Sequence, residues 1–172
     1  RIQITASWYD EWDRMENSVQ YGTNDGDTFT YPSTPPTGSS VDELLTTITY
    51  DEDGTVLLTT DPEGTDTKYE YDGLGRQLAV ISNYTEAEPP INTANRDTDT
   101  YVRCEYEDGL LTEMWVDVDG DKVQDTGVDQ VTTYTYGVTD TDDPAPSEVY
   151  ANNFLRQVKY PDSTSDIVRY AY

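Results

Sequence analysis

Histidine is absent from the 172-residue chain, and cysteine occurs once, at Cys104. Without histidine, the Ser–His and Cys–His arrangements of nucleophilic catalysis cannot be assembled within this chain. A single cysteine excludes an internal disulfide and a multi-cysteine metal site, and we interpret Cys104 as a small buried apolar group rather than a nucleophile. No apolar run approaches the ~20 residues of a membrane-spanning helix, so membrane insertion is not expected.

Basic residues are scarce, since 10 Lys and Arg face 35 Asp and Glu and give a formal net charge of -25. Nucleic acid and anionic membranes need Lys and Arg to neutralise phosphate, so neither is expected as a partner. Such an acidic surface suits salty surroundings, divalent cations or a basic partner.

The apolar content of 34% is low for a packed globule, but 15 tyrosines and 3 tryptophans argue against disorder. Thr, Val and Tyr favour half-buried pleated surfaces, and no segment shows a convincing helical period. The sequence therefore predicts an all-β protein.

The segment TKYEYDGLGRQL (67–78) defines a repeat that returns along the chain. Tyr-x-Tyr places two rings on one face of a strand, Asp–Gly turns the chain, and a second strand returns. Related copies lie at 8–19 and 48–60, with weaker ones at 104–116, 133–138 and 168–172. Each copy is a hairpin of roughly 20 residues, and we expect the tyrosine rings to stack between units. The residues that define the repeat are Tyr9, Asp10, Tyr50, Asp51, Tyr69, Tyr71, Asp72, Gly75, Arg76, Tyr134, Tyr136, Tyr170 and Tyr172.

Residues 1–172 are predicted to form a single array of consecutive antiparallel hairpins in an extended, twisted or spiralling sheet. Pro-, Thr-, Ser- and Asp-rich stretches without periodicity interrupt it as insertion loops near 31–40, 85–100 and 139–147.

Two catalytic interpretations of the repeat are alternatives to a simple turn. A phosphate-binding loop at 73–76 needs a following helix, but QLAVI continues as a strand. Carboxylates are so abundant that nothing singles out one acid–base pair. We therefore predict that the chain is not an enzyme, that Gly75 has positive φ, and that Arg76 pairs with an Asp or stacks on a Tyr.

The segments TKYEYDGLGRQLAV and LRQVKYPDSTSDIVRYAY resemble the RHS (rearrangement hotspot) or YD-repeat family, whose units run Tyr-x-Tyr-Asp-x-x-Gly-Arg-Leu. The resemblance implies a sheet that winds spirally from hairpins, forms shells in bacterial toxins, and occurs at the cell surface in animal teneurins. DPEG (61–64) is similar to part of the family's autoproteolysis motif, but Thr65 departs from that motif. We assign DPEG to a turn.

DVDGDKVQD (117–125) is the strongest metal-binding pattern. Asp117, Asp119 and Asp121 alternate and Asp125 stands at the ninth position, as in Ca²⁺ loops that gather several oxygens. The alternative is one more Asp–Gly hairpin turn, because Lys122 and Val128 replace the Gly and Glu of such loops. Asn83, in NYT, fits the N-glycosylation pattern.

These observations predict a secreted or cell-surface structural and assembly module without catalytic activity. One alternative is an adhesion module that binds carbohydrate or a cell surface through Trp8, Trp12 and Trp115. Another is a fragment of a toxin-enclosing shell. Residues 1–19 and 155–172 read as incomplete hairpins, so we expect either a fragment of a longer chain or head-to-tail self-association through the terminal strands.

Overall fold

Strands account for all the regular secondary structure that the structure, a computed structural model, describes in residues 3–23, 27–85, 100–120, 123–125, 127–137, 153–161 and 167–170. None of these segments supplies a helix able to cross a membrane. The strands are β1 (Gln3–Tyr9), β2 (Met15–Thr23), β3 (Leu44–Tyr50), β4 (Val56–Thr60), β5 (Asp66–Tyr71), β6 (Gln77–Ser82), β7 (Thr100–Glu107), β8 (Leu110–Val116), β9 (Gln130–Tyr136), β10 (Leu155–Lys159) and β11 (Ile167–Arg169).

The strands form one open, antiparallel, 11-stranded sheet whose spatial order, β1 to β11, equals the chain order. Each strand therefore pairs with its sequence neighbours, as expected for consecutive hairpins, and the predicted fold class is confirmed. The repeat tyrosines lie on strands at Tyr9, Tyr50, Tyr69, Tyr71, Tyr134 and Tyr136. Tyr170 comes just after β11, where its N–H donates to the Arg156 carbonyl at 2.8 Å, and Tyr172 lies outside the described residues.

A β-bulge precedes the last tyrosine of an outgoing strand in several hairpins. The register shifts between Trp8 and Tyr9, and again between Thr49 and Tyr50. It also shifts between Glu70 and Tyr71, and between Glu105 and Tyr106. In each case the return strand carries one extra residue, which bends the strand and increases its local twist. The bulges therefore place the tyrosines in equivalent positions near the C-terminal ends of β1, β3, β5 and β7.

The buried core lies toward the opposite ends of the strands. Ala6, Val19 and Leu45 lie side by side across β1, β2 and β3 and are buried. A second cluster joins Ala79, Ile81, Tyr101 and Trp115, with Tyr84 and Val131 packed against it.

Among the described residues, the expected stacking of repeat tyrosines on one another is wrong. Within the described ranges, ring pairs join Trp8 to Tyr31, Tyr21 to Phe29 and Tyr101 to Trp115, with centroid separations of 5.5, 4.9 and 5.5 Å. Tyr50 and Tyr106 instead pack on arginines. The register of neighbouring hairpins brings the Arg14 guanidinium over the Tyr50 ring and the Arg76 guanidinium over the Tyr106 ring.

The insertion predicted at 31–40 connects β2 to β3 and is described throughout. Of the insertion at 85–100, only Thr85 and Thr100 are described, and Thr100 begins β7. The insertion at 139–147 lies outside the described residues.

Replacing Trp115 by alanine tests the second core cluster. Trp115 is 3% exposed and meets the Tyr101 ring edge-on, so Trp115→Ala should lower the free energy of unfolding by about 3–5 kcal/mol. Trp12 is 67% exposed, so Trp12→Ala is the matched control and should cost under about 1 kcal/mol. Equal losses in urea denaturation of the two variants would contradict this placement of the core.

Candidate functional site

Aspartate side chains close four tight turns of the described sheet. The Oδ1 atom of Asp10, Asp51, Asp61 or Asp72 accepts the N–H of the residue four positions later, at 2.8, 2.9, 2.9 and 2.9 Å respectively. The N–H of each aspartate donates to the carbonyl of that same later residue, at 2.9–3.0 Å. Because one side chain and one main-chain bond close the loop together, the aspartate itself defines the turn. DPEG is such a turn, as predicted.

The fourth residue of these turns has a left-handed backbone. Gly54, Gly64 and Gly75 have φ values of +86°, +84° and +76°, and the first copy places Asp13 there with φ +61°. Aspartate tolerates this conformation better than most residues, so the turn forms although the sequence departs from the Gly of the pattern. The predicted positive φ of Gly75 is confirmed.

In three of these turns the fifth residue supplies a side-chain donor to the second aspartate oxygen. Nε of Arg14 donates to Oδ2 of Asp10 at 2.7 Å, and Nε of Arg76 donates to Oδ2 of Asp72 at 2.6 Å. In the copy at 51–55, the Thr55 hydroxyl takes this place at 2.7 Å from Oδ2 of Asp51. Both carboxylate oxygens are therefore engaged within the turn.

These hydrogen bonds hold the carboxylates ionised. The Arg76 N–H is the main cause that lowers the pKa of Asp72, and the Thr55 hydroxyl is the main cause that lowers the pKa of Asp51. For Asp10, burial alone would raise the pKa, but the hydrogen bonds from Arg14 and Trp12 outweigh it and the pKa is lowered. Carboxylates of this kind suit turn closure better than proton transfer, which needs a pKa near the working pH.

Arginine–tyrosine contacts connect neighbouring hairpins. The Arg14 guanidinium carbon lies 4.3 Å from the Tyr50 ring centroid, and that of Arg76 lies 4.4 Å from the Tyr106 centroid. The Tyr50 hydroxyl donates to the Met15 carbonyl at 2.9 Å, and the Tyr106 hydroxyl donates to the Gln77 carbonyl at 3.0 Å. Each tyrosine hydroxyl thus donates to the carbonyl of the residue that follows its arginine. The same arrangement therefore occurs at two distant places in the chain.

The degenerate copy after Tyr106 keeps the tyrosine but changes its own turn. Asp108 and Gly109 both have positive φ, at +50° and +86°, and Glu107 pairs with Leu110. Two positive φ values in a two-residue loop are typical of a type I′ hairpin. The aspartate after the tyrosine is therefore dispensable for the hairpin, whereas the Tyr106–Arg76 contact is retained.

A groove of about 270 Å³ lies between the first two of these turns and is lined by Trp12, Arg14 and residues 51–54. Trp12 is exposed there, with Arg14 over its ring at 4.8 Å. Trp115 is buried, and Trp8 packs on Tyr31. The three tryptophans therefore do not form one exposed binding face, and the groove presents a single aromatic ring beside acidic side chains.

The predicted Ca²⁺ loop brings two of its four residues together. Carboxylate oxygens of Asp117, Asp119 and Asp129 lie within 4.8 Å of one another. Asp125 contributes its main-chain N–H to Oδ2 of Asp129 at 2.7 Å, and Asp121 lies outside the described residues. Asp129 was not predicted. It stands one residue beyond the twelfth position, where a Ca²⁺ loop carries glutamate, and that spacing was the available signal.

Asp129 also organises this loop. It is 8% exposed, its Oδ1 accepts the Val118 N–H at 2.9 Å, and its Oδ2 accepts the Asp125 N–H. Oδ1 of Asp117 accepts the Gly120 N–H at 2.6 Å. The acidic cluster therefore has a structural role in the loop by itself, and Ca²⁺ binding stays a prediction.

The remaining predicted positions lie on the surface or in a strand. Asn83 is exposed at the end of β6 with φ +56°, and its glycosylation stays a prediction. Cys104 is half-buried on β7, and burial raises the pKa of its thiol. A raised pKa keeps the thiol protonated, as expected for a packed strand residue.

Comparison with known proteins identifies the class of repeat. Residues 50–87, which span the turns at Asp51, Asp61 and Asp72, match the family model described as RHS Repeat. Residues 50–87 therefore carry an RHS repeat, which supports the predicted resemblance to the RHS or YD-repeat family. No curated protein matches the chain. The match supports a structural, shell-type repeat module, and such repeats are typical of extracellular or cell-surface proteins.

Acid should remove the contribution of the Asp72 carboxylate. Its pKa is lowered from 3.8 by folding, so it stabilises the fold above about pH 4, and this stability is lost as pH falls through the folded pKa. The difference in unfolding free energy between wild type and Asp72→Asn should therefore shrink between pH 6 and pH 2. Asp53→Asn, at an exposed position in a neighbouring turn, is the control for the loss of one charge. A difference for Asp72→Asn that is independent of pH would contradict the turn-closing role.

Calcium should raise thermal stability beyond the effect of screening if the acidic cluster binds it. At matched ionic strength, the melting temperature should be higher in CaCl₂ than in NaCl. At a Ca²⁺ concentration of 100 times Kd, binding should add about 2.7 kcal/mol to the free energy of unfolding. Asp119→Asn should abolish this increment, whereas Asp53→Asn should leave it intact. Identical melts in the two salts would remove the calcium site.

Proposed function

We propose that this chain is a non-catalytic extracellular structural module whose open sheet is extended, end to end, by strands of further copies. The observation that carries this proposal is the single sheet of consecutive hairpins. Four of its turns are closed by aspartate, and two contacts between hairpins join arginine to tyrosine. Such an array adds hairpins without changing its cross-section, which is the property of a wall or filament.

The chemistry of the turns supports the non-catalytic part of the proposal. Asp10, Asp51 and Asp72 have lowered pKa values, and each is engaged by donors of its own turn. General acid–base catalysis requires a group that exchanges its proton near the working pH. These carboxylates instead act as fixed acceptors.

The terminal strands support the assembly part of the proposal. β1 and β11 stand at the two ends of the strand order, so each has one neighbour in the described sheet. Edge strands present main-chain donors and acceptors to further strands. Pairing of β11 of one copy with β1 of the next is a heterologous contact, which propagates as a filament where rotation does not close a ring. If strands of the same chain supplied this extension, the module would be a segment of a shell.

Adhesion through the Trp12 groove is the second candidate function. An exposed tryptophan beside the carboxylates of residues 51–53 offers an aromatic platform and hydrogen-bond acceptors to a sugar. Because only one of the three tryptophans is exposed in this way, the assembly function is preferred.

Truncation at β11 tests the assembly function. The full chain should associate as concentration rises in sedimentation velocity, more strongly at high NaCl because salt screens the net charge of -25. Deletion of 166–172 should weaken this association, while circular dichroism shows the central sheet intact. A full chain that stays monomeric at every concentration and salt would contradict the proposal.

A further inference from the structure

The segment between β2 and β3 folds back onto the outer strand of the sheet. Its Tyr31 packs on Trp8 of β1, with ring centroids 5.5 Å apart. The Tyr31 hydroxyl donates to the Ser7 carbonyl at 2.5 Å and accepts the Ser7 N–H at 3.2 Å. One side chain therefore occupies both main-chain polar groups of a β1 residue.

The N–H and carbonyl of Ser7 point away from β2, the strand that pairs with β1. The N–H and C=O of one residue in an antiparallel strand point to the same side, alternately toward and away from the partner strand. β1 begins the strand order and pairs with β2, in which Ser18 lies opposite Ser7. Because Tyr31 engages both groups of Ser7, its hydroxyl lies at the free edge, where an added strand would bond.

The same segment also binds main-chain groups at the start of β3, where β3 is not yet paired with β4. Oγ of Ser39 accepts the Leu45 N–H at 2.9 Å and donates to the Leu45 carbonyl at 3.3 Å. Pairing of β3 with β4 begins only at Thr47, so β4 does not reach Leu45. A hydroxyl that binds both main-chain groups of one strand residue thus recurs, and edge covering is a property of this segment.

We propose that Tyr31 is a displaceable latch on β1, which competes with an edge strand of a second copy of this chain for the main-chain groups of Ser7. This inference rests on the proposed assembly function. β11 is the other terminal strand of the described sheet, which makes it the matching edge for β1 in a head-to-tail arrangement. Covering an edge with a loop is a known way of limiting strand addition.

The contact between Tyr31 and Ser7 can be displaced by an added strand. Tyr31 is 54% exposed, so solvent or an incoming strand can reach its hydroxyl. It satisfies a single residue of β1, whereas a strand would also bond other outward-facing residues along Gln3–Tyr9. Strand addition therefore replaces the latch by bonds of the same kind and adds more of them. The latch weakens assembly without forbidding it.

Tyr31→Phe separates the latch from the assembly itself, because it removes the hydroxyl and keeps the ring on Trp8. In sedimentation velocity at fixed salt, Tyr31→Phe should lower the dissociation constant of self-association about tenfold, which corresponds to about 1.4 kcal/mol. Hydrogen exchange of the Ser7 amide should accelerate in the dilute, monomeric variant. Tyr9→Phe is the matched control, since Tyr9 is a 60% exposed tyrosine on β1, the strand that contains Ser7. It should change neither the dissociation constant nor the exchange rate of the Ser7 amide.

The outcomes distinguish the two proposals. If wild type associates and Tyr31→Phe has the same dissociation constant, the latch is overturned and the assembly function stands. If neither protein associates under any condition, the assembly function fails and the latch fails with it. Tighter association of Tyr31→Phe, but not of Tyr9→Phe, supports both.

Discussion

Turn closure by an aspartate carboxylate is the interaction on which the first six strands of this sheet depend. Each carboxylate accepts main-chain N–H groups of its own loop, so a polar turn is formed without help from a core. Charge-assisted bonds of this type are stronger than neutral ones. Since the fold is a series of hairpins, fixing each turn also fixes the register of the two strands that it joins. Register in turn places the following tyrosine beside the preceding arginine.

Links between hairpins matter because the described sheet buries few large side chains. Among the described residues, Val19 is the largest side chain that is fully buried, and most strand positions are half-buried. The Asp72–Arg76–Tyr106 chain compensates by joining β5, β6 and β7 through an ion pair, a ring contact and a main-chain hydrogen bond. Arginine suits this role because its planar guanidinium pairs with a carboxylate and stacks on a ring at once.

The sequence pattern was sufficient to predict the features that depend on neighbouring residues in the chain. The alternation of Tyr, Thr and Val predicted strands, and Asp–x–x–Gly predicted the turn at Asp72 with Gly75 at positive φ. The partner of each tyrosine was not predictable, because it depends on a bulge one residue earlier and on the register of the next hairpin. Tyr31 was missed because it binds Ser7, 24 residues earlier in the chain. Asp129 was missed because it stands one residue beyond the glutamate position of a Ca²⁺ loop.

The acidity of the chain has a different meaning at different positions. Asp10, Asp51, Asp72 and Asp129 accept main-chain N–H groups, so their carboxylates stabilise the loops in which they lie. Other carboxylates, such as Asp53, are exposed and add to self-repulsion. Repulsion of this kind opposes edge-to-edge contact between copies and reinforces the cover that Tyr31 places on β1. In the proposed assembly, two features would oppose strand pairing between copies: the net charge of -25 and the Tyr31 hydroxyl on Ser7. Of these, only the hydroxyl would be displaced by strand pairing itself.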